Sequence, residues 1–241
     1  MDVNALFQRR VSLRRYAQRE IAEADLDFIL QSALRAPTAG NMMLYSVIKV
    51  TDPVKKLLLS KSCDNQPFIA RAPVLLIFCA DFQRWYDYYK YSNVPESCAA
   101  RGVPFRRPAE GDLVLAMSDA LIASSFATIA GESRQIGSCY IGDIIEQVEY
   151  HAELLDLPQW VVPVGMLCLG YYPDNYRRQI SPRFPQESIV FDEGISGFRR
   201  SNYRTCSNQM KQLSNQKINV QLRILVNSIT IAKQARHFQK K

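Results

Sequence analysis

Pro73-Val-Leu-Leu-Ile-Phe-Cys-Ala80 is a continuous apolar run without a single charge. A run this short, rich in branched side chains, reads as a strand buried on both faces. Upstream, Leu44-Tyr-Ser-Val-Ile-Lys-Val50 reads as a second strand, closed by Asp52-Pro53. Downstream, Val161 to Leu169 reads as a third, although Pro163 cannot donate to a ladder near its start. Between them, Leu113 to Glu132 has the composition of a long helix, apolar nearly all round and interrupted only by Asp119 and small hydroxyl residues. Such a helix is buried centrally or in a subunit interface. Glu23 to Arg35 gives an amphipathic helix, with Leu26, Ile29, Leu30 and Ala33 on one face and Pro37 beyond its end. Long helices separating short buried strands make a layered α/β or α+β domain.

The 241 residues are 47% hydrophobic and 22% charged, enough to build one sizeable core and too apolar for general disorder. No apolar run approaches the roughly 20 residues of a bilayer span, and the N-terminus lacks the layout of a signal peptide, so a cytoplasmic location away from membranes is expected. Six widely spread cysteines form no C-x-x-C pair, and two histidines, His151 and His237, do not support a histidine-based zinc site. Serine hydrolase chemistry lacks a G-x-S-x-G elbow, and phosphate sites of the P-loop and G-x-G-x-x-G kinds are missing. An enzyme of this composition draws its chemistry from a bound organic cofactor.

Charge divides the chain. After Glu193 there are ten basic residues and no acidic one, so the formal +7 belongs to the tail, and residues 1–197 carry −3. A boundary is expected near 197, with a body at 1–197 and a basic extension at 198–241. Ile218, Leu222, Leu225, Ile229 and Ala232 give that extension a helical apolar stripe, while Ile218, Val220, Leu222 and Ile224 also alternate. A docked helix with its basic face in water is favoured over a nucleic-acid-binding tail.

Four segments carry chemistry. In Arg9-Arg-Val-Ser-Leu-Arg-Arg-Tyr16, an extended backbone projects Arg10, Ser12 and Arg14 from one side, a donor set suited to a phosphate monoester; the alternative is a solvated basic segment. Arg35-Ala-Pro-Thr-Ala-Gly-Asn-Met42 is a small-residue loop able to approach a flat ligand, or a plain connection. Gly137-Ser-Cys-Tyr-Ile-Gly-Asp143 reads as a glycine-containing turn exposing backbone N–H groups, with Asp143 placed to cap a succeeding helix. Ser181-Pro-Arg-Phe-Pro185 holds one arginine between two prolines.

In this order and spacing, over residues 3–193, the four segments resemble the nitroreductase family, whose members open with R-R-S-x-R-x-[FY], continue with A-P-S-x-x-N-x-Q-P-W and end with P-R-x-P. The matching positions are Arg10, Ser12, Arg14 and Tyr16; Ala36, Pro37, Thr38 and Asn41; and Arg183 with Pro185. Ser181 stands where many members carry a basic residue, and Met42-Met-Leu-Tyr45 replaces the polar, tryptophan-containing end of the second motif. The resemblance implies an α+β layered fold, a central, mainly antiparallel sheet flanked by helices, in an intertwined homodimer that binds FMN. It implies that Arg10, Ser12, Arg14 and Arg183 hold the phosphate and ribityl chain. Pro37, Thr38, Ala39 and Asn41 then reach the flavin from the partner subunit, Asn65 and Gln66 bond its pyrimidine edge, and Tyr140, Ile141 and Gly142 cover one face near N5. The implied activity is transfer of hydride from NADH or NADPH to a small electrophilic acceptor such as a nitroaromatic or quinone, with no side chain required as acid or base. Reductive dehalogenation and enoate-like reduction are alternatives on the same flavin, and a basic-tailed nucleic-acid-binding protein is the rival from another class. The aromatic stretch Phe82-Gln-Arg-Trp-Tyr-Asp-Tyr-Tyr-Lys-Tyr91 fits ordinary packing or a wall that stacks with aromatic substrates.

Overall fold

The computed structural model describes residues 2–195. The chain runs through α1 (Val3–Arg9), α2 (Glu23–Leu34), β1 (Tyr45–Val50), α3 (Pro53–Ser62), α4 (Pro67–Arg71), β2 (Val74–Asp81), α5 (Gln83–Tyr91), α6 (Val94–Ala100), α7 (Glu110–Ser133), β3 (Ile136–Ile141), α8 (Val148–Leu154) and β4 (Val161–Tyr171). Local chemistry sets several of these boundaries. Asp52 caps α3 by accepting from the Lys55 amide at 2.7 Å, with Pro53 in the first turn where its missing N–H costs nothing.

The four strands form one antiparallel sheet in the order β1-β2-β4-β3. The fold is therefore α+β. Alternation along β2 feeds two cores: Val74, Leu76, Phe78 and Ala80 face the layer of α2 and α7, while Leu75, Ile77 and Cys79 face Leu59 of α3, Phe68 and Ile69 of α4, and Ile144. The suspect proline is accommodated by a bulge. The register slips between Phe78 and Cys79, which pair with Gly165 and Pro163.

Three sequence expectations change. The segment from Gly137, read as a turn, is mostly the edge strand β3, and only its end bends into a short 3-10 turn, Asp143–Ile145. Gly137 is required there because a Cβ would lie 2.6 Å from Leu13 and 2.7 Å from Tyr172. Asp143 is the first residue of that turn, whose N-cap is Gly142. Finally, α7 is long and apolar enough, by length and composition, to cross a membrane, contrary to the expectation from its sequence. Here it packs on β2, β3, β4 and α2, with Asp119 and Glu132 buried inside the fold. Its buried face is lined with small residues, Ala116, Ala120, Ala123, Ala127 and Gly131, which lets it approach closely. The bulky residues Val114, Leu115, Leu121, Ile122 and Phe126 are exposed.

The chain divides into two units, the first running to Arg178 with all four strands, the second beginning at Gln179. The boundary expected at 197, the extension 198–241 and its apolar stripe lie outside the described residues.

Candidate functional site

Residues 10–14 are extended, as the alternation requires. Ser12 bridges Ser138 in parallel, and the Leu13 amide donates to the Ser138 carbonyl at 2.9 Å, so the segment lies along the free side of β3. Val11 and Leu13 are buried; Arg10, Ser12 and Arg14 are not. Beneath them lies Cys139, whose thiol burial pushes up, against the opposing pull of Arg14, Ser12 and Arg10. Among the described residues neither Arg10 nor Arg14 has an acidic partner, unlike Arg9 next door, whose guanidinium lies 3.6 Å from Glu132. Two guanidinium groups without an acidic partner and a hydroxyl on one side of a strand are a donor set that fits a phosphate.

The Arg14 guanidinium lies over Phe68 of α4, 5.7 Å from the ring centre, which brings the cluster beside the loop that ends α3. In that loop Asp64 and Asn65 take left-handed conformations, φ 63° and 49°, uncommon for residues with side chains. Gln66 donates through Nε2 to the Cys63 carbonyl at 3.0 Å and to Asp143 Oδ2 at 2.8 Å. Both acceptors are oxygen, so the amide orientation is forced and both its hydrogens are used. Oε1 is the atom left to meet a ligand, as an acceptor for an imide N–H.

At the end of β3, the Tyr140 hydroxyl lies 2.6 Å from Ser124 Oγ of α7, which fixes its ring. Ile141 points into the core, so it offers a ligand only backbone. Gly142 has open space where a Cβ would stand. Arg10, Ser12, Arg14, Asn65, Gln66, Tyr140, Ile141 and Gly142 thus belong to one region at the β3 edge.

Pro37, Thr38, Ala39 and Asn41 lie on a separate loop, between α2 and β1. Their loop is anchored by Asp119, the lone acid in the apolar middle of α7. Thr38 donates its hydroxyl to Asp119 Oδ2, and the amides of Ala39 and Leu44 donate to the same carboxylate at 3.0 and 3.1 Å. The Met43 amide in turn donates to Thr38 Oγ1 at 2.8 Å. The Thr38 hydroxyl is therefore spent on the fold, while Pro37 and Asn41 stand exposed. Gly40, Asn41 and Met43 all have positive φ, between 49° and 58°, a bend that the Asp119 bonds hold. Asp119 lies thirteen residues before Glu132, the neighbour of Arg9. At 1.5 Å per residue this places the two anchor points roughly 20 Å apart along α7. Arg183 belongs to the second unit; its Nη1 lies 3.3 Å from the Pro182 carbonyl.

The aromatic stretch is α5, and its rings pack against their neighbours and border a cavity. Tyr86 stacks on Phe105 (5.5 Å, 20°) and meets Trp160 edge-on, while Tyr86, Tyr89 and Phe105 line a cavity of about 470 Å³ together with Met42 and Leu44. Asp119, Asp143 and His151 were not read as site-forming. The isolated acid within an apolar helix is the available signal for Asp119, and Asp143 closes the segment from Gly137 already singled out; His151 carries no such signal.

The model of the Nitroreductase family matches residues 7–171. The FMN reductase [NAD(P)H] of Bacillus subtilis is 32% identical over 210 residues, covering 86% of this chain and 81% of the relative. The oxygen-insensitive NADPH nitroreductase of Salmonella typhimurium is 30% identical, over 75% of this chain and 69% of its own. Among solved structures, B. megaterium NfrA2 superposes with a TM-score of 0.76 at 30% identity, covering 90% of this chain and 85% of that one.

Proposed function

The chain belongs to the nitroreductase family, and from that premise we propose how its own residues serve a flavin. It is an FMN-dependent oxidoreductase that takes hydride from NADH or NADPH and passes it to an electrophilic acceptor such as a nitroaromatic or quinone. Bound FMN supplies the two-electron chemistry. Arg10, Ser12 and Arg14 hold the phosphate. Gln66, locked by Asp143, presents Oε1 to the pyrimidine edge, Asn65 sits beside it, and the backbone of residues 140–142 lines the face near N5. The observation that carries this reading is the set Arg10, Ser12 and Arg14 along β3, none of them buried and neither arginine with an acidic partner among the described residues.

The homodimer is part of the proposal. In the homodimer that the resemblance implies, the loop of a second copy reaches this flavin, while within one chain its anchor Asp119 stands roughly 20 Å along α7 from Glu132, the neighbour of Arg9. The exposed apolar stripe Val114, Leu115, Leu121, Ile122 and Phe126 supplies the surface on which two copies meet. Pro37, Thr38, Ala39 and Asn41 then complete the partner's site, with backbone and the Asn41 amide rather than the Thr38 hydroxyl.

Purified protein should be yellow, bleach with NAD(P)H under anaerobic conditions, regain colour on addition of a quinone, and give parallel-line ping-pong kinetics. Protein that binds no FMN at micromolar concentrations would overturn the reading. Light scattering at assay concentration should give twice the chain mass. A fully active monomer would remove the partner-loop assignment.

A further inference from the structure

His151 is fully buried on α8 and touches none of the residues assigned to the flavin, yet its ring joins the two segments that carry them. Nδ1 lies 2.7 Å from the Ile144 carbonyl, an acceptor, so Nδ1 carries the proton. Nε2 is then an acceptor in the neutral ring, and the Ser62 hydroxyl, 2.8 Å away, donates to it. Burial lowers the pKa of His151, in keeping with a neutral ring. A Ser–His contact invites a hydrolase reading. The ring is sealed from solvent and its second nitrogen is bound to a backbone carbonyl instead of a carboxylate. Cys63, 4.0 Å from Nε2, is pushed up to about 12 by burial and is no thiolate at neutral pH.

The contacts around the ring show what it does instead. Ser62 ends α3, and three residues later come Asn65 and Gln66, in a loop with two consecutive left-handed residues. Ile144 lies in the turn that succeeds Gly142. Gln147 adds a parallel link, donating from Nε2 to the Ser62 carbonyl at 3.0 Å, and Gln66 to Asp143 makes a third. The loop is braced from within by Ser60, whose hydroxyl donates to the Gln66 carbonyl at 2.8 Å. The ring is the buried member of this set and the only one bonded to both segments through a rigid side chain.

We propose that His151 is a positioning residue for the cofactor site: bridging Ser62 and the Ile144 carbonyl, it fixes the spacing between the Asn65–Gln66 loop and the Tyr140–Gly142 backbone, and so sets affinity for the flavin ring and its reduction potential. The inference rests on the FMN reading above. Holding two polar edges at a fixed separation before the ligand arrives is preorganisation, which lowers the ordering cost at binding.

The two halves of the clamp are separable. His151→Asn keeps a donor near the Nδ1 position for Ile144, His151→Gln keeps a polar group near the Nε2 position for Ser62, and Ser62→Ala cuts the link from a less buried position where folding is secure. Ile29→Val, in the α2 core on the other face of the sheet, controls for general destabilisation. The measurements are FMN dissociation constant by fluorescence, midpoint potential of bound FMN, and amide hydrogen exchange at 64–66 and 142–146. All three clamp variants should weaken FMN binding about 5- to 20-fold, shift the potential, and raise exchange in both segments. Ile29→Val should lower the melting temperature and leave the other readouts at parent values. Parent-like affinity, potential and exchange in Ser62→Ala and His151→Asn, with the parent binding FMN, would overturn the clamp. A parent chain that fails to bind FMN would instead overturn the flavin reading itself, and the role of His151 toward it.

Discussion

Two carboxylates lie buried on the same helix, and their surroundings differ. Near the end of α7, Glu132 meets cations: Arg178 contacts it directly, Arg9 lies 3.6 Å away, and the Tyr172 hydroxyl donates to it at 2.9 Å. Arg178 also donates to the Arg9 carbonyl at 3.1 Å and lies over the Tyr172 ring. In the middle of α7, Asp119 is satisfied by neutral donors, one hydroxyl and two amides from a single loop. The charged cluster ties α1, α7 and the segment after β4 to one another. The neutral one gives a tight, strained loop its shape. Counter-charges suit a joint between elements, since guanidinium groups reach it from far apart in sequence. Amide donors suit a loop, because only neighbouring backbone can converge on one carboxylate.

The largest effect that could break this comparison comes from Glu132→Ala, which strands two guanidinium groups around a buried gap. A loss of about 3–5 kcal/mol in denaturant unfolding is expected, with hydrogen exchange raised at residues 9–14 and not at 38–44. Asp119→Ala should cost less, about 2–4 kcal/mol, since the orphaned groups are neutral and partly able to find water. Its exchange pattern should be the reverse. If either substitution loosens both regions equally, the two ends of α7 are not independent anchors.

Next in size is cofactor affinity. Arg14→Ala should raise the FMN dissociation constant about ten- to a hundredfold, and riboflavin should bind the parent far more weakly than FMN. Asp119→Asn should leave that constant nearly unchanged in a monomer-forming Phe126→Asp background, where no partner loop reaches the flavin. An equal effect in both backgrounds would assign the loop to its own chain's site.

The smallest expected effect is on pH dependence. The pKa of His151 is lowered in the fold and ordinary, near 6.5, when unfolded, so the unfolded chain binds the extra proton first as pH falls. Its contribution to stability is complete above about pH 6.5 and declines below it, with a slope of at most about 1.4 kcal/mol per pH unit for one proton. His151→Gln should remove that slope. An unchanged profile would show that the acid transition belongs to other groups.

How far the molecule could be read beforehand depends on where each signal resides. The alternation of Arg10, Ser12 and Arg14 is written in five consecutive residues and reappears as an extended segment. The strand at Val74–Asp81 and the helix at Glu110–Ser133 were similarly visible, to within a few residues. The edge strand Ile136–Ile141 was not. Its start carries Gly137 and Ser138, which read as a turn, and its pairing with β4 depends on residues about thirty positions away. Its glycine reads as a turn until Leu13 and Tyr172 are seen pressed against it.

Sequence by itself determined the layered body, the apolar helix at its centre and the alternating Arg-Ser-Arg pattern at its start, because hydrophobic and charge periodicity act over a few residues and need no partner to be recognised. The tertiary structure decided the rest. It turned the alanines of α7 inward and the bulky residues outward, gave the Thr38 hydroxyl to Asp119, 81 residues away, and set His151 between Ser62 and Ile144. Buried polar groups must find partners wherever the fold brings them, and that meeting is fixed by packing, not by spacing along the chain.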